Sequence, residues 1–163
     1  MSKNAREARL KAVKARYKAI RIFRPYECTY CGRTASTVDH VPPISVSYAY
    51  GPEVPHVKVP ACRQCNSFLG DRELYTIAER CRFLRDRYER YYQADIDIPH
   101  WESWEIDEMG DMMRTEIESA MRQKEAIEDL LFHLDQAERL WVAIEHWDNG
   151  DISQYELKDS EDS

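Results

Sequence analysis

Four cysteines stand as two Cys-x-x-Cys pairs, Cys28/Cys31 and Cys62/Cys65, with an Asp39-His40 dipeptide between them and Asn66 directly after the last cysteine. Each Cys-x-x-Cys turn lets two thiolates reach one ion, and two such turns supply the four tetrahedral ligands of a closed structural zinc site. The other three residues carry different chemistry. A carboxylate and an amide oxygen are hard ligands suited to Mg²⁺ or Mn²⁺. A neutral imidazole can take a proton from water near pH 7. A base, a metal clamp and open coordination positions are the parts that metal-assisted phosphodiester hydrolysis needs.

Disulfides and a redox dithiol are the competing uses of these cysteines. Disulfides need an oxidising compartment, and the N-terminus MSKNAREARLKAVK has no hydrophobic signal core, so a cytoplasmic setting is expected. A redox Cys-x-x-Cys does not need a second copy. The fifth cysteine, Cys81, falls in a helical apolar stripe and reads as a buried thiol. Few large aliphatic side chains lie in residues 25–72, so this stretch should depend on metal for its core.

The pattern resembles the HNH, or His-Me finger (ββα-metal), endonucleases, and within them the zinc-containing branch that includes phage recombination endonuclease VII. The elements that carry the resemblance are Cys28-Thr29-Tyr30-Cys31, Asp39-His40, Cys62-Arg63-Gln64-Cys65-Asn66 and Leu69-Gly70, in that order, across about residues 22–75. It implies that Asp39 and Asn66 bind a catalytic Mg²⁺ or Mn²⁺, that His40 is the general base, and that the cysteines hold zinc only. The implied reaction is cleavage of DNA in a bacterial host or phage-infected cell. Two departures stand out. Val57-Lys58, preceded by His56, occupies the place of a common Asn-Leu pair, and Gly70-Asp71-Arg72 stands where a final His or Lys is usual. His56 is then a loop brace, a phosphate contact or an extra metal ligand.

Neighbouring residues of a regular strand point to opposite faces, so Asp39 and His40 share a site only at a strand end. Pro42-Pro43 follow and cannot continue a central strand. The pair is therefore placed where the chain bends.

The chain has 163 residues, a hydrophobic content of 43% and a net charge of −7. No apolar run is long enough for a transmembrane helix. The charge is unevenly spread: residues 1–24 carry +8, residues 25–94 carry +1 and residues 95–163 carry −16. The first two parts can meet phosphate while the third faces elsewhere.

These features give an α+β, mostly helical chain: a zinc-stapled ββα-metal finger flanked by a basic N-terminal helix and a long C-terminal helical region. Residues 1–24 are the basic helix, with Leu10, Val13, Tyr17 and Ile20 as its stripe over residues 4–22. Residues 25–94 are the nuclease core and its following helix. Short strands are expected near 37–41 and 56–60, a loop over 45–55, and a helix over 71–93 opened by Asp71. That helix carries the stripe Leu74, Ile77, Cys81, Leu84, Tyr88 and Tyr91. Arg33, Lys58, Arg63 and Arg72 are the candidate phosphate contacts. Residues 95–150 are an acidic helical hairpin, dimerisation or partner region. After a linker over 95–103 a helical pattern runs from about Trp104 to Trp147, with a break at Gly110. Its seam is Ile127, Leu130, Leu134, Ala137, Trp141 and Ile144. His133 and His146 lie there without partner ligands, and residues 151–163 read as a disordered acidic tail. Partners implied are DNA, a second copy through the C-terminal helices, or a basic protein for the acidic segment, with no membrane. The rival reading is a zinc-stabilised nucleic-acid- or protein-binding adaptor with a silent active site.

Overall fold

A computed structural model describes residues 3–19, 26–49 and 56–147. Ten elements follow in order: α1 (Lys3–Lys14), β1 (Lys18–Ala19), β2 (Thr37–Val41), α2 (Ile44–Ala49), β3 (Val57–Ala61), α3 (Arg63–Leu69), α4 (Ile77–Tyr91), α5 (Gln93–Ile96), α6 (Ser103–Asp107) and α7 (Asp111–Trp147). The architecture is α+β and mostly helical, with one three-stranded sheet in the order β1-β3-β2.

In β3 the small apolar residues Val57, Val59 and Ala61 are buried while Lys58 is exposed, the alternation of a strand with one covered face. β2 runs antiparallel to it, with Asp39 opposite Val59 and His40 opposite Lys58. Among the described residues, β1 pairs in parallel with β3 through Lys18–Val57 and Ala19–Lys58. Pro60 cannot donate to a ladder, and its carbonyl accepts from Thr29 N–H at 2.9 Å.

The first helix is shorter than the apolar spacing predicts. It ends at Lys14, and Lys18–Ala19 pair as a strand although Tyr17 stays buried. Here pairing with β3 supplies the backbone hydrogen bonds that further helical turns would otherwise have made. Residue 20 and the segment up to 25 lie outside the described residues. The predicted loop over 45–55 holds α2 in its first half, and residues 50–55 lie outside the described residues, as does the tail.

The helix expected from Asp71 begins at Ile77. Thr76 accepts from Glu79 N–H, and the Glu79 carboxylate accepts from Thr76 N–H, a complete capping box. Such reciprocal pairing satisfies two orphan donors at once, which Asp71 alone does not. α4 buries Ile77, Cys81, Leu84 and Tyr88, while Tyr91 at the end of the stripe is exposed. The long C-terminal pattern divides into α6 and α7 around Gly110, and the linker holds the end of α5.

α7 lays Ile127, Leu130, Leu134 and Trp141 against α4 and its neighbours, all buried. Burying each such side chain contributes about 1.5–3 kcal/mol. The two helices run antiparallel: Glu145 meets Ile77, Glu138 meets Arg82 and Asp135 meets Arg85. One core cluster joins this pair to Val41, Val57, Val59, Leu69 and the four paired cysteines.

Candidate metal centre and its neighbouring strand

The Cys28–Cys31 knuckle turns at Gly32, whose φ of +72° is the left-handed region that glycine enters without strain. Gly32 N–H donates to the Cys28 carbonyl at 2.9 Å. The second knuckle is the start of α3. Cys62 is its N-cap, and its Sγ accepts from Cys65 N–H at 3.4 Å. The strand end of β3 thus passes straight into a helix whose first turn holds Cys65 and Asn66.

All four Sγ atoms lie within 4.8 Å of one another, all four residues are buried, and none forms a disulfide. Cys31 and Cys62 approach to 3.7 Å. Four sulfurs at 2.3 Å from one zinc ion stand about 3.8 Å apart, so the donor set fits that ion. The cluster could hold a structural metal such as zinc. The thiols polarise one another. Cys31 is pushed down to about 6, first by its hydrogen bond with Cys28. Cys62 is pulled down by Cys28, Cys31 and Cys65, while Cys28 and Cys65 are pushed up and keep their protons. A cation relieves this crowding of negative charge.

Outer contacts orient the sulfurs. Arg33 Nε donates to Cys31 Sγ at 3.5 Å and its Nη2 to Tyr88 Oη at 2.8 Å. That hydroxyl lies 3.3 Å from Cys65 Sγ. α4 is therefore fastened to the centre through Tyr88, in the way outer partners commonly hold metal ligands. Arg33 Nη2 also reaches Gln64 at 3.1 Å, so this predicted phosphate contact is already engaged. Arg72 lies over the Phe83 ring at 4.7 Å, and Arg63 and Lys58 are exposed.

Asp39 and His40 sit inside β2, not at a bend beyond it. The strand stays regular through both, and ends at Val41 before Pro42. Asp39 is buried and its Oδ2 accepts from Tyr30 Oη and from Arg80 Nη1, the latter at 2.5 Å. Asn66 Nδ2 donates to Thr37 Oγ1 at 3.2 Å. Thr37 and Asp39 share one face of β2, so Asn66 sits on the side toward which Asp39 projects. In each, Oδ1 accepts no hydrogen bond from the described residues. A carboxylate oxygen and an amide oxygen suit a hard divalent ion.

His40 projects to the other face. Its ring meets the edge of Tyr17 with centroids 4.8 Å apart. Burial lowers its pKa; Asp39 opposes this, and Lys14, Lys58 and Arg80 add to it. The imidazole is neutral at pH 7. His56 is buried against the same tyrosine, 4.9 Å away. His133 and His146 are exposed on α7.

Tyr17, Tyr30, Arg80 and Tyr88 have a part that the motif does not announce. For Arg80 a signal existed: it stands three residues after Ile77 and four before Leu84, on the edge of the buried stripe. No family model, no curated protein and no solved structure matches this chain.

Proposed function

We propose that this chain is a metal-dependent, HNH-type endonuclease that hydrolyses phosphodiester bonds in DNA. Cys28, Cys31, Cys62 and Cys65 hold a structural zinc ion. Asp39 and Asn66 hold Mg²⁺ or Mn²⁺ through their Oδ1 atoms. The observation that carries the reading is the run of β2, antiparallel β3 and α3, closed by the cysteine cluster, with Asp39, His40 and Asn66 on the first and last of these elements. When bound, the divalent ion stabilises charge on the scissile phosphate and the leaving oxygen. His40 is the general base, taking a proton from the attacking water at a ring nitrogen. Lys58 on β3 is paired with His40 on β2 and meets phosphate, and Arg63 and the basic α1 are further phosphate contacts. The acidic C-terminal region serves a second copy or a basic partner, and the setting is cytoplasmic.

A second reading, a zinc-stabilised binding module that does not cut, is favoured by two observations. Asp39 and His40 project to opposite faces of a regular strand, and the Asp39 carboxylate already serves a buried arginine.

Plasmid cleavage with Mg²⁺ or Mn²⁺ decides between them, comparing the native protein with His40→Ala at matched zinc content. Loss of at least a hundredfold in the variant alone supports the nuclease and its base. Equal cleavage in both removes His40 from the reaction. Salt-dependent DNA binding without cleavage in either supports the silent module.

A further inference from the structure

The N-terminal segment closes over the face of β2 that carries His40. Between the end of α1 at Lys14 and the pairing of Lys18 with Val57 stands Tyr17, 5% exposed. Its ring makes edge contacts with two imidazoles: His40 at 4.8 Å and 87°, His56 at 4.9 Å and 80°. Its hydroxyl donates to the Pro42 carbonyl at 2.7 Å and meets Ser47 Oγ at 2.5 Å. Ser47 in turn lies 3.3 Å from the Pro43 carbonyl. The ring is thus anchored to the turn that begins two residues after His40, on the same chain segment as the imidazole that it touches.

This arrangement exceeds what laying the N-terminal segment against the sheet requires. An aliphatic side chain would fill the space, but it would offer neither a ring edge to set the imidazole planes nor a hydroxyl to lock its own position. A buried ring held at its far end cannot swing away when His40 moves. An imidazole that must meet one water molecule gains from such restraint, since a misplacement of about 1 Å can cost about a hundredfold in rate.

We propose that Tyr17 is a positioning residue for His40, fixing the plane of the imidazole so that a ring nitrogen addresses the attacking water. The proposal rests on the nuclease reading for its kinetic consequence and on the geometry alone for its structural one. The N-terminal segment then belongs to the catalytic unit as well as to the DNA-binding surface.

The test measures kcat and KM for plasmid cleavage in the full chain at matched zinc content, for Tyr17→Phe, Tyr17→Leu and Tyr17→Ala. The ring-proton shifts of His40 are followed by NMR in the same samples. Tyr17→Leu and Tyr17→Ala are expected to lower kcat at least tenfold with KM within about twofold, and to move the His40 ring resonances. Tyr17→Phe keeps the ring edge and is expected to recover most of kcat. The leucine variant carries the test if the alanine variant does not fold. Unchanged kcat in the leucine variant overturns the proposal, as does a loss confined to KM or a loss in Tyr17→Phe equal to that in Tyr17→Leu. If the native chain does not cut, the nuclease reading fails by itself. The resonances then decide the positioning role: it stands if they move in Tyr17→Leu and hold in Tyr17→Phe, and it falls if they do not move.

Discussion

Arg80 reaches from α4 to β2 and sets Nη1 2.5 Å from Oδ2 of Asp39, with the two side chains 1% and 5% exposed. Tyr30 adds a second donor to the same oxygen. The residue before the proposed base is therefore held by the helix that packs on α7, and the ion pair ties the two halves of the fold together.

Breaking this pair from the arginine side strands a carboxylate in the interior. Arg80→Met is expected to cost about 3–5 kcal/mol, a fall of about 6–20 °C in the melting temperature of a chain this size. The double replacement Arg80→Met with Asp39→Leu leaves no orphaned charge and is expected to cost less than Arg80→Met alone. Thermal denaturation of zinc-loaded samples measures both. Equal losses in the single and double variants would mean that the pair is not what the arginine stabilises.

The cysteine cluster should bind one zinc ion per chain, read by elemental analysis of the purified protein. Cys65→Ser removes one proposed ligand and one of the partners of the Tyr88 hydroxyl, the other being Arg33. It is expected to lose the metal and most of the near-ultraviolet signal of the buried Tyr30 and Tyr88. A strong chelator should do the same to the native chain. Full zinc content in the serine variant would point to a metal held elsewhere.

A carboxylate at the far end of α7 caps α4 from outside. Glu145 Oε1 accepts from Ile77 N–H at 2.9 Å and Ala78 N–H at 3.4 Å. Burial raises its pKa above 4.5, against the pull of those two N–H groups. The folded chain then holds the proton more tightly than the unfolded chain. Stability from this group is fully present below 4.5 and is lost as pH rises through the folded pKa. Glu145→Gln keeps an acceptor and removes the titration. Its melting temperature relative to the native protein should therefore be higher at pH 7.5 than at pH 4.5. A difference that does not change with pH would exclude titration of Glu145 as a contributor to stability.

Position on α7 should decide the effect of truncating its large side chains. Trp141 is fully buried, whereas Phe132 is 61% exposed. Trp141→Ala is expected to cost about 3–5 kcal/mol and Phe132→Ala no more than about 0.5 kcal/mol, both by urea denaturation. A large loss at Phe132 would reveal an interface that covers it.

Sequence periodicity located the elements where one face alone is buried. The stripe from Ile77 to Tyr88 and the seam from Ile127 to Trp141 are both buried, because helical spacing and burial coincide there. β2 lies at residues 37–41 and β3 at Val57–Ala61, close to the strands expected near 37–41 and 56–60. Boundaries set by pairing with distant chain were not legible. Nothing local says that Lys18 will find Val57, so the stripe through Tyr17 reads as more helix. The spacing of the cysteines announced the cluster. The partner that Asp39 meets in the interior is Arg80, 41 residues away, whose charge makes it look like surface. A sequence motif names side chains, but strand register decides which of them face each other.

The cysteine cluster has a consequence for how the chain is made. Its last cysteine is residue 65, 46 residues before α7 begins at Asp111, so both knuckles and the β2–β3 pairing are made before α7 exists. The apolar side of α4, by contrast, stays bare until Trp141 emerges, 76 residues after Cys65. The nascent protein can close its metal unit early, whereas the interval of exposed α4 surface is set by the speed of elongation. If the cluster holds zinc as proposed, scarcity of the ion during synthesis would leave both halves open at once.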